Sequence, residues 1–237
     1  MNHIVLLGDS ILANAAWVHE NEEPVEDQLR GLLPAGWGVT LAAVDGDYIR
    51  DVCGQLQGVP RDATHLVVSA GGNNALSQSQ LLLERPESMV GALTKVAGLR
   101  EQFRSDYREM LKIVCALGKP TLVCLIYDGI SLDGVGVPMG RDVIRAAIGA
   151  LNDVIIDEAV RLRLPVLDLR RICDEPADYS DKLGIEPSAP GGLKIARAIW
   201  RIIKTHDFSS PHTVVFGKEV LSGDRVEVLP GRVIGAR

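Results

Sequence analysis

The sequence predicts an α/β fold: a central parallel sheet of about five strands, covered by helices on both faces. Two observations carry that expectation. Short apolar runs rich in β-forming residues recur at 3–7, 38–44, 65–70, 121–127 and 165–169. Several are continuously apolar rather than alternating, which is the pattern of strands buried on both faces. Amphipathic stretches separate them, and strand–helix alternation builds parallel sheets. With 237 residues, 46% of them hydrophobic, the chain is sized for one domain with a full core.

Taken in order, the first strand runs straight into Gly8-Asp9-Ser10-Ile11, and a helix follows over 25–33. The second strand ends in Asp45-Gly46-Asp47 and leads to a helix over 48–57. The third ends in Gly71-Gly72-Asn73-Asn74. Residues 72–99, with Ser77-Gln78-Ser79-Gln80 and Arg85-Pro86-Glu87, read as a loop or broken helix, and a helix follows over 100–118. The fourth strand leads into 128–140, whose four glycines and one proline mark a loop. Residues 141–162 are the clearest helix, with Ile144, Ile148, Leu151, Ile155 and Ala159 on one stripe. A fifth strand and a helix over 189–205 complete a domain of residues 1–206. Residues 207–237 carry short β-type runs split by Gly and Pro, and read as a small C-terminal extension.

Composition narrows the function. A net charge of −6 argues against nucleic acid or an anionic membrane as partner. Aromatic residues are only 4%, too few for a stacking platform. No apolar run is long enough to span a bilayer and no signal-like segment opens the chain, so a cytoplasmic location is expected. The four cysteines form no Cys-x-x-Cys pair and no zinc-type cluster with histidine, so no metal and no cofactor are expected.

Three strand ends carry the chemistry. In a parallel sheet of this kind Ser10, Gly46 and Asn73 lie side by side at the carboxyl edge, where such folds bind ligands. A hydroxyl, a bare backbone N–H and a neutral carboxamide are the groups that acyl transfer needs: a nucleophile and donors for the developing oxyanion. Each signal is weak by itself. Ser after a strand is a good helix cap, and Asp-Gly and Gly-Gly-Asn-Asn are ordinary turns. Their order and placement together are more specific.

At these residues the chain resembles the SGNH or GDSL-type hydrolases. Gly8-Asp9-Ser10-Ile11 is similar to the family's first block, Gly46 to its second, and Gly71-Gly72-Asn73-Asn74 to its third, with Asn74 where Asp is usual. The segment 185–196 is similar to the fifth. The resemblance covers about residues 3–205. It implies a flavodoxin-like three-layer α/β/α sandwich, Ser10 as nucleophile, and an oxyanion hole made by the Ser10 N–H, the Gly46 N–H and the Asn73 side chain. The implied substrate is a small ester.

One block departs. The family's catalytic Asp-x-x-His is replaced: Glu186 stands at the His position and Leu183 at the Asp position, in a subgroup-like Ile185-Glu186-Pro187-Ser188. Asp181 lies two residues from the Asp position and is a further candidate. His3 and His65 begin strands, at the opposite edge from Ser10. His19, if reached along a helix, is about 13 Å away. His206 ends the last helix, and only His212, in the C-terminal extension, could fold back. Glu186 therefore has several readings. It is an atypical base for Ser10, an anion at the start of the helix that follows, or a contact for a cation in an inactive pocket. A helix N-terminus nearby would hold its pKa down. The expected function is a serine esterase or acyl hydrolase with catalytic Ser10, Gly46, Asn73 and Glu186. The alternative is a non-catalytic ligand-binding protein of the same fold. A mononucleotide site in the loop after strand one is the weakest reading, because 8–14 offer one glycine and no Lys or Arg.

Overall fold

Six parallel strands form a single sheet in the computed structural model, which describes residues 2–129 and 141–222. The strands are β1 (Asn2–Gly8), β2 (Trp37–Leu41), β3 (His65–Ser69), β4 (Thr121–Cys124), β5 (Val166–Leu167) and β6 (Val215–Phe216), in the spatial order β2-β1-β3-β4-β5-β6. Every neighbouring pair is parallel. The order turns at β1, so chain leaving β1 and chain leaving β3 open away from each other above the carboxyl edge. That crevice is where open α/β sheets place ligands.

The helices are α1 (Val25–Leu32), α2 (Val52–Gln55), α3 (Gly72–Ser77), α4 (Met89–Cys115), α5 (Arg141–Leu162), α6 (Leu169–Ile172), α7 (Ala189–Thr205) and α8 (Glu219–Ser222). They make two layers because strand side chains alternate between faces. In β1, Ile4 and Leu6 pack with Leu29 of α1 and Ile195 and Ile199 of α7. Val5 and Leu7 point the other way, toward Tyr107 and Leu111 of α4 and Ile155 of α5. Both sets are fully buried, which is why β1 reads as a continuous apolar run.

Four differences from the expected layout have physical reasons. The segment 72–99 is not mainly loop: α3 fills its start, and α4 begins at Met89 with the Ser88 hydroxyl accepting from Gly91 N at 3.0 Å. Met89 and Val90 are 73% and 74% exposed, so this part of the helix buries no stripe, and periodicity has nothing to report. The helix expected over 48–57 is a short α2 between two 3₁₀ turns, Ile49–Asp51 and Leu56–Gly58, where β-branched residues and two glycines weaken helix propagation. The fourth strand stops at Cys124. Beyond it, the buried Asn152 side chain accepts from Ile126 N at 2.8 Å and donates to Ile126 O at 2.7 Å, replacing a strand neighbour. The sheet has six strands rather than about five, because Val215–Phe216, from the segment read as an extension, pairs with β5. Its ladder includes Asp168 N to Phe216 O at 2.8 Å, and the Phe216 ring meets His206 edge-on. A two-residue strand is too short to signal in sequence. The other expected β-type runs of the C-terminal segment, and most of the glycine-rich loop at 128–140, lie outside the described residues.

Candidate active site

The end of β1 is held in place by contacts that only particular residues allow. Gly8 has φ +126°, and a Cβ there would lie 1.6 Å from the Ser69 carbonyl oxygen of β3. Glycine lets the two strand ends close up. The Gln55 side chain then clamps Gly8: its Oε1 accepts from Gly8 N at 2.8 Å, and its Nε2 donates to Gly8 O at 2.7 Å and to Asp47 Oδ2 at 2.8 Å. No sequence signal marks Gln55, which sits on a helix with no motif. Gln55→Leu is expected to lower stability by about 2 kcal/mol in urea titrations, because it takes the Gln55 Oε1 acceptor from Gly8 N and leaves Gly8 O with the Val44 N–H.

Asp9 and Ser10 follow, and both are buried. Asp9 N donates to Ser69 O at 3.0 Å, and Asp9 Oδ1 accepts from Ile11 N at 3.3 Å. Burial pushes the Asp9 carboxyl up to about 7, against the lowering effect of the N–H groups of Ile11 and Gly72. Ser10 Oγ donates to Glu186 Oε1 at 2.9 Å, across 176 residues of sequence.

Glu186 reaches Ser10 because its segment is pinned from both sides. Ser180 N donates to Glu186 O at 2.8 Å, Tyr127 Oη donates to Ile185 O at 2.6 Å, and Asn14 Nδ2 donates to Pro187 O at 3.1 Å. Asn14 Oδ1 in turn accepts from Val25 N at 2.8 Å, tying the site to the start of α1. The reading of Glu186 as the anion that opens α7 is corrected: Ser188 is the cap, its Oγ accepting from Gly191 N at 3.2 Å. The expected lowering of the Glu186 pKa is corrected with it. Burial pushes the carboxyl up to about 8, against the lowering effect of the Ser10 hydroxyl and with smaller repulsion from Asp9 and Asp45. Its second oxygen, Oε2, is buried and has no hydrogen-bond partner among the described residues.

Gly46 and Asn73 stand on the neighbouring strand ends. Gly46 has φ +87°, in open space. Asn73 Nδ2 donates to Asp47 O at 2.9 Å, which fixes the amide and leaves its second hydrogen free to point elsewhere. Asn74, in place of the usual Asp, accepts from Ile49 N through Oδ1 at 3.0 Å, a bond that an Asp could make equally well. Asp181 is not brought to the site. It is exposed and lies 3.4 Å from the His19 ring, also exposed. His3 and His65 begin β1 and β3 at the far edge, His206 packs on Phe208 and Phe216, and His212 precedes β6 at the amino edge. No histidine is among the described residues that line the cavity beside Ser10. Among the described residues, no group of three or more His, Cys, Asp and Glu is placed to hold a metal ion.

A buried hydroxyl bonded to a carboxylate, in a cavity that Asn73 also lines, is an arrangement that can move a proton off oxygen. The model of the GDSL-like lipase/acylhydrolase family matches residues 6–192, most of the chain. The protein belongs to that family. No curated protein matches it. Solved structures share its fold at low identity. An extracellular lipase from Streptomyces rimosus is 18% identical with a TM-score of 0.58, covering 82% of this chain and 95% of its own. A phospholipase A1 from Streptomyces albidoflavus is 17% identical with a TM-score of 0.58, covering 82% and 97%. A variant of Axe2, an acetyl xylan esterase from Geobacillus stearothermophilus, is 17% identical with a TM-score of 0.59, covering 85% and 94%. The chain therefore shares its architecture with these structures, a parallel sheet between two helical layers.

In this family member a cavity of about 120 Å³ opens directly from Ser10 and Glu186. Its walls come from the chain after β3, from α4 and α5, and from the segment carrying Ile185. No described helix is long and apolar enough to cross a membrane.

Proposed function

We propose that the protein hydrolyses carboxylic esters through Ser10, with Glu186 as the base. The observation that carries this reading is the 2.9 Å hydrogen bond from Ser10 Oγ to a buried Glu186 at the crevice of the sheet. Ser10 Oγ attacks the ester carbonyl as its proton passes to Glu186 Oε1. The oxyanion is received by the Gly46 N–H, the Ser10 N–H and the second Nδ2 hydrogen of Asn73. Glu186, now neutral, gives its proton to the departing alkoxide. Water then attacks the acyl carbonyl as its proton passes to Glu186, which returns it to Ser10 Oγ as the acid departs.

A free glutamate, with a pKa near 4.3, is too weak a base for this work. Burial beside Asp9 and Asp45 brings Glu186 to about 8, where a general base operates well. Moving negative charge from that crowded carboxylate onto the oxyanion also relieves its repulsion with Asp9. The chain thus reaches through burial what other hydrolases reach with histidine.

Labelling with a fluorophosphonate probe tests the reading. Mass spectrometry is expected to find one adduct, on Ser10, in the wild type and none in Ser10→Ala. An unlabelled wild type would instead support a ligand-binding protein without catalysis.

A further inference from the structure

We infer that the cavity beside Ser10 is an acyl-chain site, selecting apolar acyl groups of about four to six carbons over acetyl. This rests on the ester-hydrolase reading and names its substrate class. The apolar wall begins one residue from the carboxylate: Ile185 packs with Leu76, Ile144 and Ile148 in one cluster. Leu82 and Leu99 also line the cavity. Of the polar lining groups, Asp9, Ser10, Ser69, Asn73 and Glu186 come from the strand ends and the Glu186 turn, where the carbonyl would react, while Gln78, Ser79 and Asp128 stand elsewhere in the lining.

The chemistry of the walls excludes other acyl classes. No Lys or Arg is among the described lining residues, so the lining offers no cation to a carboxylate-bearing acyl group, and Asp9 and Glu186 repel one when ionised. Tyr127 is the one aromatic among the described lining residues, a poor platform for a sugar. Size sets the chain length. About 120 Å³ is a little less than the apolar cavity of about 150 Å³ that takes a six-carbon benzene ring. An acetyl group would leave most of the apolar wall uncovered.

The test is kcat/KM for p-nitrophenyl esters from acetate to decanoate. The value is expected to rise about fourfold per methylene as far as butyrate to hexanoate, and then to stop rising. Ala147 lines the cavity from α5 and takes no part in the chemistry. Ala147→Phe fills the space, and is expected to cut hexanoate turnover to the acetate level while leaving acetate within about twofold of the wild type. Ile148→Ala enlarges it and should move the optimum to longer chains, which keeps the test alive if the first variant does not fold. A flat chain-length profile with Ser10-dependent turnover would overturn the acyl site and leave the hydrolase reading standing. Calorimetric binding of hexanamide but not acetamide, with no ester turned over, would do the reverse.

Discussion

Glu186→Gln is expected to lower kcat/KM by about 10²–10⁴-fold above pH 8 and to leave a residual rate that no longer follows pH through this group. Gln keeps the shape of the side chain and can still hold Ser10 Oγ, but it cannot accept the proton. On the proposed mechanism Glu186 must be ionised to act. Burial, and then Asp9 and Asp45, push its carboxyl up to about 8. The rate should therefore fall about tenfold per unit below pH 8 and level off above it. A stopped-assay pH series on both proteins checks this. A wild-type profile that levels near pH 5, or a Gln variant with full activity, would remove Glu186 from the mechanism.

The same shift links activity to stability, with a definite sign. The folded protein keeps a proton on Glu186 that the unfolded chain releases at the ordinary glutamate pKa. The stability this contributes is complete below the ordinary value and is lost as pH rises through about 8. Asp9, raised to about 7, acts in the same direction. The Gln variant lacks the Glu186 contribution, so its melting temperature relative to the wild type should increase from acid to alkaline pH. A site that is catalytically useful but costly to the fold behaves in this way. A Gln variant that becomes relatively less stable at alkaline pH would mean that the carboxylate is satisfied rather than strained.

Much of this was legible in the sequence, and what was not has a common cause. Buried strands announce themselves through continuous apolar runs, so β1, β3 and β4 were readable, as was the α5 stripe. Ser10, Gly46 and Asn73 were readable because each follows a strand that ends at one edge. That Glu186 meets Ser10 was one of the readings the sequence offered; what it did not show is how Tyr127, Asn14 and Ser180 hold the 183–188 turn, through contacts made far apart in sequence. The electrostatics of Glu186 went the other way from the local reading. Proximity to a helix start suggested a stabilised anion, but Ser188 takes the cap, and burial among carboxylates dominates. β6 escaped because two residues carry no periodicity. Gln55 escaped because a single polar residue on a short helix has no pattern at all.

Gly8→Ala is expected to destabilise the protein by about 4 kcal/mol, a drop in melting temperature of roughly 10 °C. Two costs combine. A φ of +126° is open to glycine and strained for alanine, which alone costs about 1–3 kcal/mol. The added Cβ would also sit 1.6 Å from Ser69 O and 2.5 Å from its carbonyl carbon. These are backbone atoms of a central strand, so no side chain can swing aside, and β1 and β3 must separate. Separation lengthens the Asp9 N to Ser69 O bond and loosens the Gln55 clamp, the two contacts that aim the chain at Ser10. Any folded fraction should therefore also lose activity, through a Ser10 displaced from Glu186. Gly46→Ala separates strain from collision. Its φ of +87° is unfavourable, but nothing lies within 4 Å of the new Cβ, so it should cost about 1–2 kcal/mol. Chemical denaturation of the two variants side by side measures the difference. Equal losses would mean that backbone conformation, and not the contact of β1 with β3, makes Gly8 necessary.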